Sequence, residues 1–251
     1  EQVLRTTFIP ELSFNTEAAA MIVGLFGTTI SPYLFFWQAS QEVEDMNMSS
    51  SQALLFEHKD KASQELRRIK WDTWSGMFYS NIAAYFIILA TGVTLNVSGV
   101  HDISTAAQAA EALRPLAGDF AFLLFAIGIL AVGLIALPVL AGSAAYALSE
   151  LFGWKSSLED SAMQDKKFYL VIAGSVLAAL VMQYLPINPM KGLFWSAVIN
   201  GVVAVPLMIA ILVLSSKTSV MGEYVASTPL RLIGWTATAI MTIAATVLFL
   251  V

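Results

Sequence analysis

The chain has 251 residues, of which 57% are hydrophobic and only 12% are charged, and its mean hydropathy is +0.72. Soluble domains carry about 25% charged residues, so a chain this apolar cannot cover its surface in water and is predicted to be a membrane protein. The absence of cysteine excludes a disulfide framework, a thiolate metal site and a thiol nucleophile. The net charge of −5 argues against a nucleic-acid binder, which needs a basic surface.

Six charge-poor runs each reach the roughly 20 residues that a helix needs to cross the hydrocarbon layer. Barrel strands would be about half as long and would alternate in polarity, so helices are predicted. The predicted spans cover about residues 18–41, 73–100, 120–149, 168–190, 192–216 and 230–251. A polar stretch at about 49–70 is predicted to form an amphipathic cytoplasmic helix. The sequence therefore predicts one all-α polytopic transmembrane domain over residues 1–251.

Basic residues are divided unevenly between the segments that connect the spans, with ten on one side and three on the other. The positive-inside rule assigns the ten to the cytoplasm, so the first span is predicted to run from outside to inside. The chain begins without the basic start and apolar run of a signal peptide, and it ends within an apolar run. We therefore expect a fragment of a longer polytopic protein.

The first predicted span contains a helix break around Pro32. Proline has no backbone N–H, and its ring clashes with the carbonyl group one turn back. The glycine, threonine and serine residues before it are poor or indifferent helix formers, so an unwound step is predicted over Gly27–Tyr33. Its carbonyl groups, with the hydroxyls of Thr28 and Ser31, would present oxygen atoms to a cavity, as discontinuous helices do in secondary transporters. The alternative is a simple proline kink satisfied by neighbouring helices.

The stretch Gly27-Thr28-Thr29-Ile30-Ser31-Pro32-Tyr33 resembles the sixth transmembrane helix of the Nramp divalent-metal transporters, which reads Gly-Ala-Thr-Val-Met-Pro-His. Arg67–Thr73 resembles the entry to the seventh helix of that family, Ala109–Gly118 the external helix before the eighth, and Leu214–Gly222 the loop before the eleventh. The chain is identified as a member of this family that contains helices six to eleven. The resemblance implies the second half of a LeuT-type inverted-repeat fold, without the first repeat and its Asp-Pro-Gly-Asn motif.

The resemblance also implies a metal site at the break. Thr28 stands where the family has an alanine whose carbonyl contacts the metal, and Ser31 stands where the family has a metal-binding methionine. A hydroxyl is a harder ligand than a thioether, so Mg²⁺ or Mn²⁺ is expected, as in the Nramp-related magnesium transporters, which lack the methionine. Asn200 is a third candidate, because an amide within a span faces the protein interior. Its alternative role is an interhelical hydrogen bond.

Four residues of the first span are predicted to line a permeation or coupling path: Gly27 at the break, and Tyr33, Gln38 and Glu42 beyond it. Tyr33 and Gln38 stand where the family has two histidines associated with proton movement. Tyrosine titrates near about pH 10 and glutamine does not titrate, so weak or absent proton coupling is expected. Glu42 lies one turn beyond Gln38 on the same helix face. The alternatives are interhelical hydrogen bonds for Tyr33 and Gln38 and a solvated helix end for Glu42.

The expected function is alternating-access transport of a divalent metal cation, which is a substrate and not a cofactor. The expected location is a bacterial plasma membrane, and the expected partners are the lipid bilayer and the missing N-terminal repeat, with no nucleic acid. Two alternatives remain, a LeuT-type symporter of an organic solute such as an amino acid and a non-transporting membrane scaffold subunit. An enzyme is not expected, because no paired nucleophile and base lie in the predicted spans.

Overall fold

The computed structural model describes residues 16–48, 59–96, 103, 105–111, 113–155, 157–158 and 163–250. All regular structure in these ranges is helical, which confirms the all-α prediction. The α-helices are α1 (Thr16–Ile30), α2 (Pro32–Met48), α3 (Lys59–Thr91), α4 (Ala106–Glu111), α5 (Arg114–Ala117), α6 (Ala121–Phe152), α7 (Lys166–Met182), α8 (Pro189–Ser215), α9 (Thr218–Met221) and α10 (Thr228–Leu250). A π-helical turn at Gly92–Asn96 follows α3, and a 3₁₀ turn at Gly118–Phe120 precedes α6.

Within the described ranges, five helical stretches are long and apolar enough to cross a membrane. They correspond to the first, second, third, fifth and sixth predicted spans. The fourth predicted span, 168–190, is shorter than expected, because α7 ends at Met182 after 17 residues. Its last turns tighten through i→i−3 bonds that end with Leu185 N–H donating to the Met182 carbonyl at 3.2 Å. Pro186 then disfavours a helical Leu185, so the chain turns before α8 begins.

The predicted cytoplasmic helix and the second span are joined in the structure. Residues 59–91 form the single 33-residue helix α3, which contains no proline and has its first glycine at Gly76. Nothing in this sequence would stop a helix between the polar segment and the apolar one, so the backbone continues through both. Residues 49–58 of the predicted segment and residues 97–100 of the predicted span lie outside the described residues.

The short helix α4 (Ala106–Glu111) overlaps the start of the stretch Ala109–Gly118 that resembles the external helix of the Nramp family. A reciprocal capping box begins it, in which the Gln108 N–H donates to Thr105 Oγ1 and the Thr105 N–H donates to Gln108 Oε1, both at 3.2 Å. The third predicted span is the unbroken helix α6, which includes Pro138 and ends where Gly153 takes a left-handed conformation (φ 63°).

The chain forms two compact units. Unit 1 contains residues 1–32 and 191–251, and unit 2 contains residues 33–190. In unit 1, α10 packs against α1 and buries Thr238, Met241 and Ala245. In unit 2, α6 packs against α7, and its core is formed by Ala145, Tyr146 and Phe168. The division between the units falls at Pro32, within the first predicted span.

Candidate metal site and inner half-helix

The break in the first span is limited to one residue. The structure is helical up to Ile30 and again from Pro32, so the predicted unwinding over Gly27–Tyr33 is narrower than expected. Ser31 lies between the two helices with φ of 37°, a left-handed conformation that is unfavourable for a residue with a side chain. It is also buried, with only 5% of its surface exposed. Such strain in a buried polar residue is a feature of functional sites.

The hydrogen bonds around Ser31 explain which carbonyl group the break frees. In a continuous helix the Thr28 carbonyl would accept from residue 32, but Pro32 has no N–H to donate. The Ser31 hydroxyl donates to this carbonyl instead, at 2.6 Å. The Ser31 N–H keeps the helical bond to the Gly27 carbonyl, at 3.1 Å. The Thr28 carbonyl and the Ser31 hydroxyl are therefore adjacent oxygen groups. They bond to each other, and no backbone N–H of the helix bonds to the Thr28 carbonyl in place of residue 32.

Within unit 1, α1 crosses α8 at a pair of glycines. A Cβ atom added at Gly27 would overlap the Ala197 carbonyl oxygen and would lie 2.9 Å from Gly201 Cα. A Cβ atom at Gly201 would in turn meet the backbone and side chain of Val23. The two backbones are in direct contact here, because neither glycine carries a side chain that would separate them.

This crossing determines where the third candidate ligand lies. Asn200 directly precedes Gly201 on α8, so the crossing holds it at the level of Gly27, and its side chain is half-buried. Its amide forms no hydrogen bond with Thr28 or Ser31 among the described contacts. Unit 1 thus contains a carbonyl, a hydroxyl and an amide near one helix crossing, and all three are neutral oxygen ligands.

Neutral oxygen ligands favour hard cations such as Mg²⁺ and Mn²⁺ over soft ones. They do not compensate the charge of a buried dication, which requires anionic partners. Among the described residues, no group of three or more histidine, aspartate or glutamate side chains could hold a metal ion. The neutral oxygen atoms at the break could therefore supply part of a coordination shell, and the described residues do not complete it with a cluster of acidic or histidine side chains.

The other predicted residues lie on α2, the inner half of the broken span, in unit 2. Gln38 Nε2 donates to Thr73 Oγ1 on α3 at 3.4 Å, which is the interhelical hydrogen bond left open as its alternative role. Glu42 forms an ion pair with Arg68 on α3, with Oε2 and Nη2 separated by 2.9 Å. Tyr33, the first residue of this unit, is half-buried.

Sequence reasoning missed the buried contacts that α2 makes with α6. Glu44 Oε1 accepts a hydrogen bond from the Tyr146 hydroxyl at 2.8 Å. The same oxygen accepts from the Leu158 N–H at 3.3 Å. One turn earlier, the Ser40 hydroxyl donates to Glu150 Oε1 at 3.1 Å. No sequence pattern indicates these pairs, since Glu44 and Tyr146 are 102 positions apart.

An aromatic cluster completes this interface in unit 2. The Trp37 ring packs against Gly142 so closely that a Cβ atom there would overlap it. Trp37 also meets Tyr146 edge to face, with ring centroids 5.9 Å apart, and Tyr146 meets Phe168 at 5.0 Å. The indole ring lies at Gly142, within a run of small residues at 141–145 that permits close packing.

Comparison with known proteins gives the family of the chain. The family model described as natural resistance-associated macrophage protein-like (Nramp) matches residues 1–251. A protein of Clostridium acetobutylicum named divalent metal cation transporter MntH is 27% identical over 239 residues, which cover 93% of this chain and 50% of that protein. Proteins of the same name from Mesorhizobium japonicum and Bradyrhizobium diazoefficiens are 27% and 29% identical over 53% and 51% of this chain, and 28% and 27% of their own lengths.

The helical, polytopic fold is that of an integral membrane protein, and the chain belongs to the Nramp family. It is an integral, multi-pass membrane protein of a family of transporters, not of enzymes, and the family indicates no resident cofactor. The chain spans at most half of the length of the relatives that it matches.

Proposed function

We propose that the protein transports divalent metal cations across the membrane by alternating access. The observation that carries this proposal is the break at Ser31, where Pro32 removes the donor for the Thr28 carbonyl and a buried, strained serine takes its place. This arrangement presents two oxygen ligands at the middle of a span, as discontinuous helices do in secondary transporters. Membership of the Nramp family and the names of its MntH relatives support a metal cation as the substrate.

The metal ion is proposed to bind to the Thr28 carbonyl, the Ser31 hydroxyl and the Asn200 amide. When an ion enters, the Ser31 hydroxyl would rotate away from the Thr28 carbonyl, so that both oxygens direct lone pairs to the ion. The hydrogen bond between them would satisfy both groups in the empty site. Because all three ligands are hard, neutral oxygens, Mg²⁺ or Mn²⁺ is the proposed cargo.

The anionic ligands are proposed to come from the first repeat of the same protein, which lies outside the residues of this chain. Gly27, Tyr33, Gln38 and Glu42 are proposed to follow the ion path toward the cytoplasm. Neither tyrosine nor glutamine exchanges protons readily near neutral pH, so transport is proposed to be weakly coupled to protons or uncoupled from them.

Metal flux into proteoliposomes that contain the full-length protein tests the proposal. Ser31→Ala and Asn200→Ala should each lower Mn²⁺ or Mg²⁺ uptake about tenfold or more, since each removes a ligand. Thr29→Ala is the matched control, because the Thr29 hydroxyl donates to the Leu25 carbonyl at 2.9 Å within the same helix and is not a proposed ligand. Equal losses in all three variants, or uptake that amino acids inhibit, would contradict the proposed site.

The choice of a hard ion has its own test. Ser31→Met replaces a hydroxyl with a thioether, the soft ligand at this position in the related transporters, and should increase Cd²⁺ uptake relative to Mg²⁺. A wild-type protein that already prefers Cd²⁺ strongly would overturn the hard-ion proposal. A pH-sensitive dye inside the vesicles should record little acidification during metal entry.

A further inference from the structure

One face of helix α3 carries two cations and two tryptophans close together. Arg67, Lys70, Trp71 and Trp74 follow the spacing i, i+3, i+4, i+7, so a helix with 3.6 residues per turn places them within about 100° of one another. Trp71 is 67% exposed and Trp74 is 69% exposed, and both basic residues are exposed. These four residues are called the cationic stripe.

From Ala62 onward, the charges on α3 are segregated around the helix axis. Glu65 and Asp72 lie about 140–160° from Arg67, on the far side of the helix from the cationic stripe. Arg68, the neighbour of Arg67, points to the other side and pairs with Glu42 and Glu65 at 2.9 and 2.8 Å. Among the described residues, no carboxylate pairs with Arg67 or Lys70. The described residues therefore leave the positive charge of the stripe uncompensated.

The order of residues along the cationic stripe also matches the layers of a bilayer surface. Aromatic rings such as those of Trp71 and Trp74 favour the boundary between the hydrocarbon and the headgroups. With a rise of 1.5 Å per residue, Lys70 and Arg67 lie about 6 and 10 Å beyond Trp74 along the helix. The headgroup layer is about 5–7 Å thick on each side, so both cations fall at or just beyond it when Trp74 is at the boundary.

The same face continues into the span with apolar residues. Phe78, one turn beyond Trp74, is 61% exposed, and Tyr85 is 39% exposed two turns further. A ligand that fits the whole face needs a negative headgroup at the level of Arg67 and Lys70 and an acyl chain along Phe78. Since the basic count assigns this end of α3 to the cytoplasm, the ligand would come from the leaflet that carries anionic lipid.

From this charge and depth we propose that the cationic stripe binds the phosphate headgroup of an anionic phospholipid of the cytoplasmic leaflet. Arg67 and Lys70 would contact the phosphate, and the two indole rings would pack on the glycerol region. The lipid would hold the polar half of α3, and with it the Arg68–Glu42 pair, at a fixed height relative to the membrane. This proposal does not depend on which ion the protein transports.

The test uses the purified full-length protein in a neutral detergent, with phosphatidylglycerol or phosphatidylcholine added and the melting temperature measured. Phosphatidylglycerol should raise the melting temperature of the wild type, and phosphatidylcholine should not. The Arg67→Gln/Lys70→Gln variant should bind phosphatidylglycerol about 30-fold more weakly. The matched control is Lys217→Gln/Arg231→Gln, which removes two exposed cations from a connection predicted to be on the same side of the membrane and should respond as the wild type does.

A second measurement asks whether lipid reaches the indole rings. In vesicles of brominated phosphatidylglycerol, tryptophan fluorescence should be quenched, and Trp71→Phe/Trp74→Phe should remove a large share of the quenching. Equal lipid responses in the two charge variants would overturn the proposal, because they would show a general effect of positive charge. Quenching that is unchanged in the tryptophan variant would also overturn it, since the stripe would then be covered by protein.

Discussion

The two halves of the broken span are packed by opposite means. In unit 1, α1 contacts α8 through Gly27 and Gly201, and the atoms that meet are backbone atoms. In unit 2, α2 contacts α6 through large and polar side chains, with Trp37 against Gly142 and Glu44 against Tyr146. The contact between α1 and α8 leaves backbone oxygens close to the candidate site. The contact between α2 and α6 depends on side chains, which substitutions can shorten.

This difference predicts which substitutions each half of the span can tolerate. Backbone contacts fail when a single methyl group is added, and no second substitution can relieve the clash. Side-chain contacts fail when a group is either added or removed, but a compensating substitution can restore the fit. The predictions below test this distinction, starting with the largest expected effect.

Gly27→Ala should cause the largest loss of stability. The new methyl group would overlap the Ala197 carbonyl and approach Gly201, so α1 and α8 would have to separate. The cost should reach or exceed the upper end of the roughly 1–3 kcal/mol typical of overpacking. The melting temperature and yield of the full-length protein measure it.

Gly192→Ala is the control for this substitution. Gly192 lies on the same helix α8, but a Cβ atom there would meet nothing within 4 Å. Alanine should therefore be neutral or should stabilise by up to about 1 kcal/mol through its helix propensity. Similar melting temperatures for the Gly27 and Gly192 variants would refute the close backbone crossing.

Gly142→Ala should be destabilising, but it should be rescuable. Its methyl group would meet only the Trp37 ring, including Cε3 at 3.2 Å. Trp37→Leu alone leaves a cavity, whereas in the double variant the shorter side chain makes room for the methyl group. The double variant should be more stable than the sum of the single effects predicts, with a coupling energy of about 1 kcal/mol or more. Additive single effects would show that the two residues do not touch.

The smallest effect is expected from the buried hydrogen bond of Glu44. Tyr146→Phe removes one donor but leaves the Leu158 N–H, so the cost should be about 1–2 kcal/mol. Glu44→Met keeps the length of the side chain, removes the accepting oxygen and should cost a similar amount. The double variant should cost less than the sum of the two, because both substitutions remove one interaction. A double-mutant cycle on the melting temperature measures the coupling, and a value near zero would contradict the contact.

The fold was largely predictable, because spans depend on local properties. Run lengths without charge located helices at all six predicted positions, and Pro32 located the break. Errors arose where boundaries depend on neighbouring residues or on hydrogen bonds. The fourth helix ends early at Met182, the second begins at or before Lys59, and the break contracts to Ser31 because its hydroxyl satisfies the Thr28 carbonyl. The ligand roles of Thr28, Ser31 and Asn200 stay predictions.

By itself the sequence determined the membrane class, the helical content and the position of the break. Apolar runs determine the spans locally, and the missing N–H of Pro32 affects only the carbonyl one turn before it. Only the tertiary structure decided which glycines meet another backbone and which carboxylate outside α3 pairs with Arg68. Arg68 meets Glu42 across 26 positions, whereas Arg67 forms no ion pair with a described residue. Such pairings depend on how helices face one another, and no local pattern in the chain encodes them.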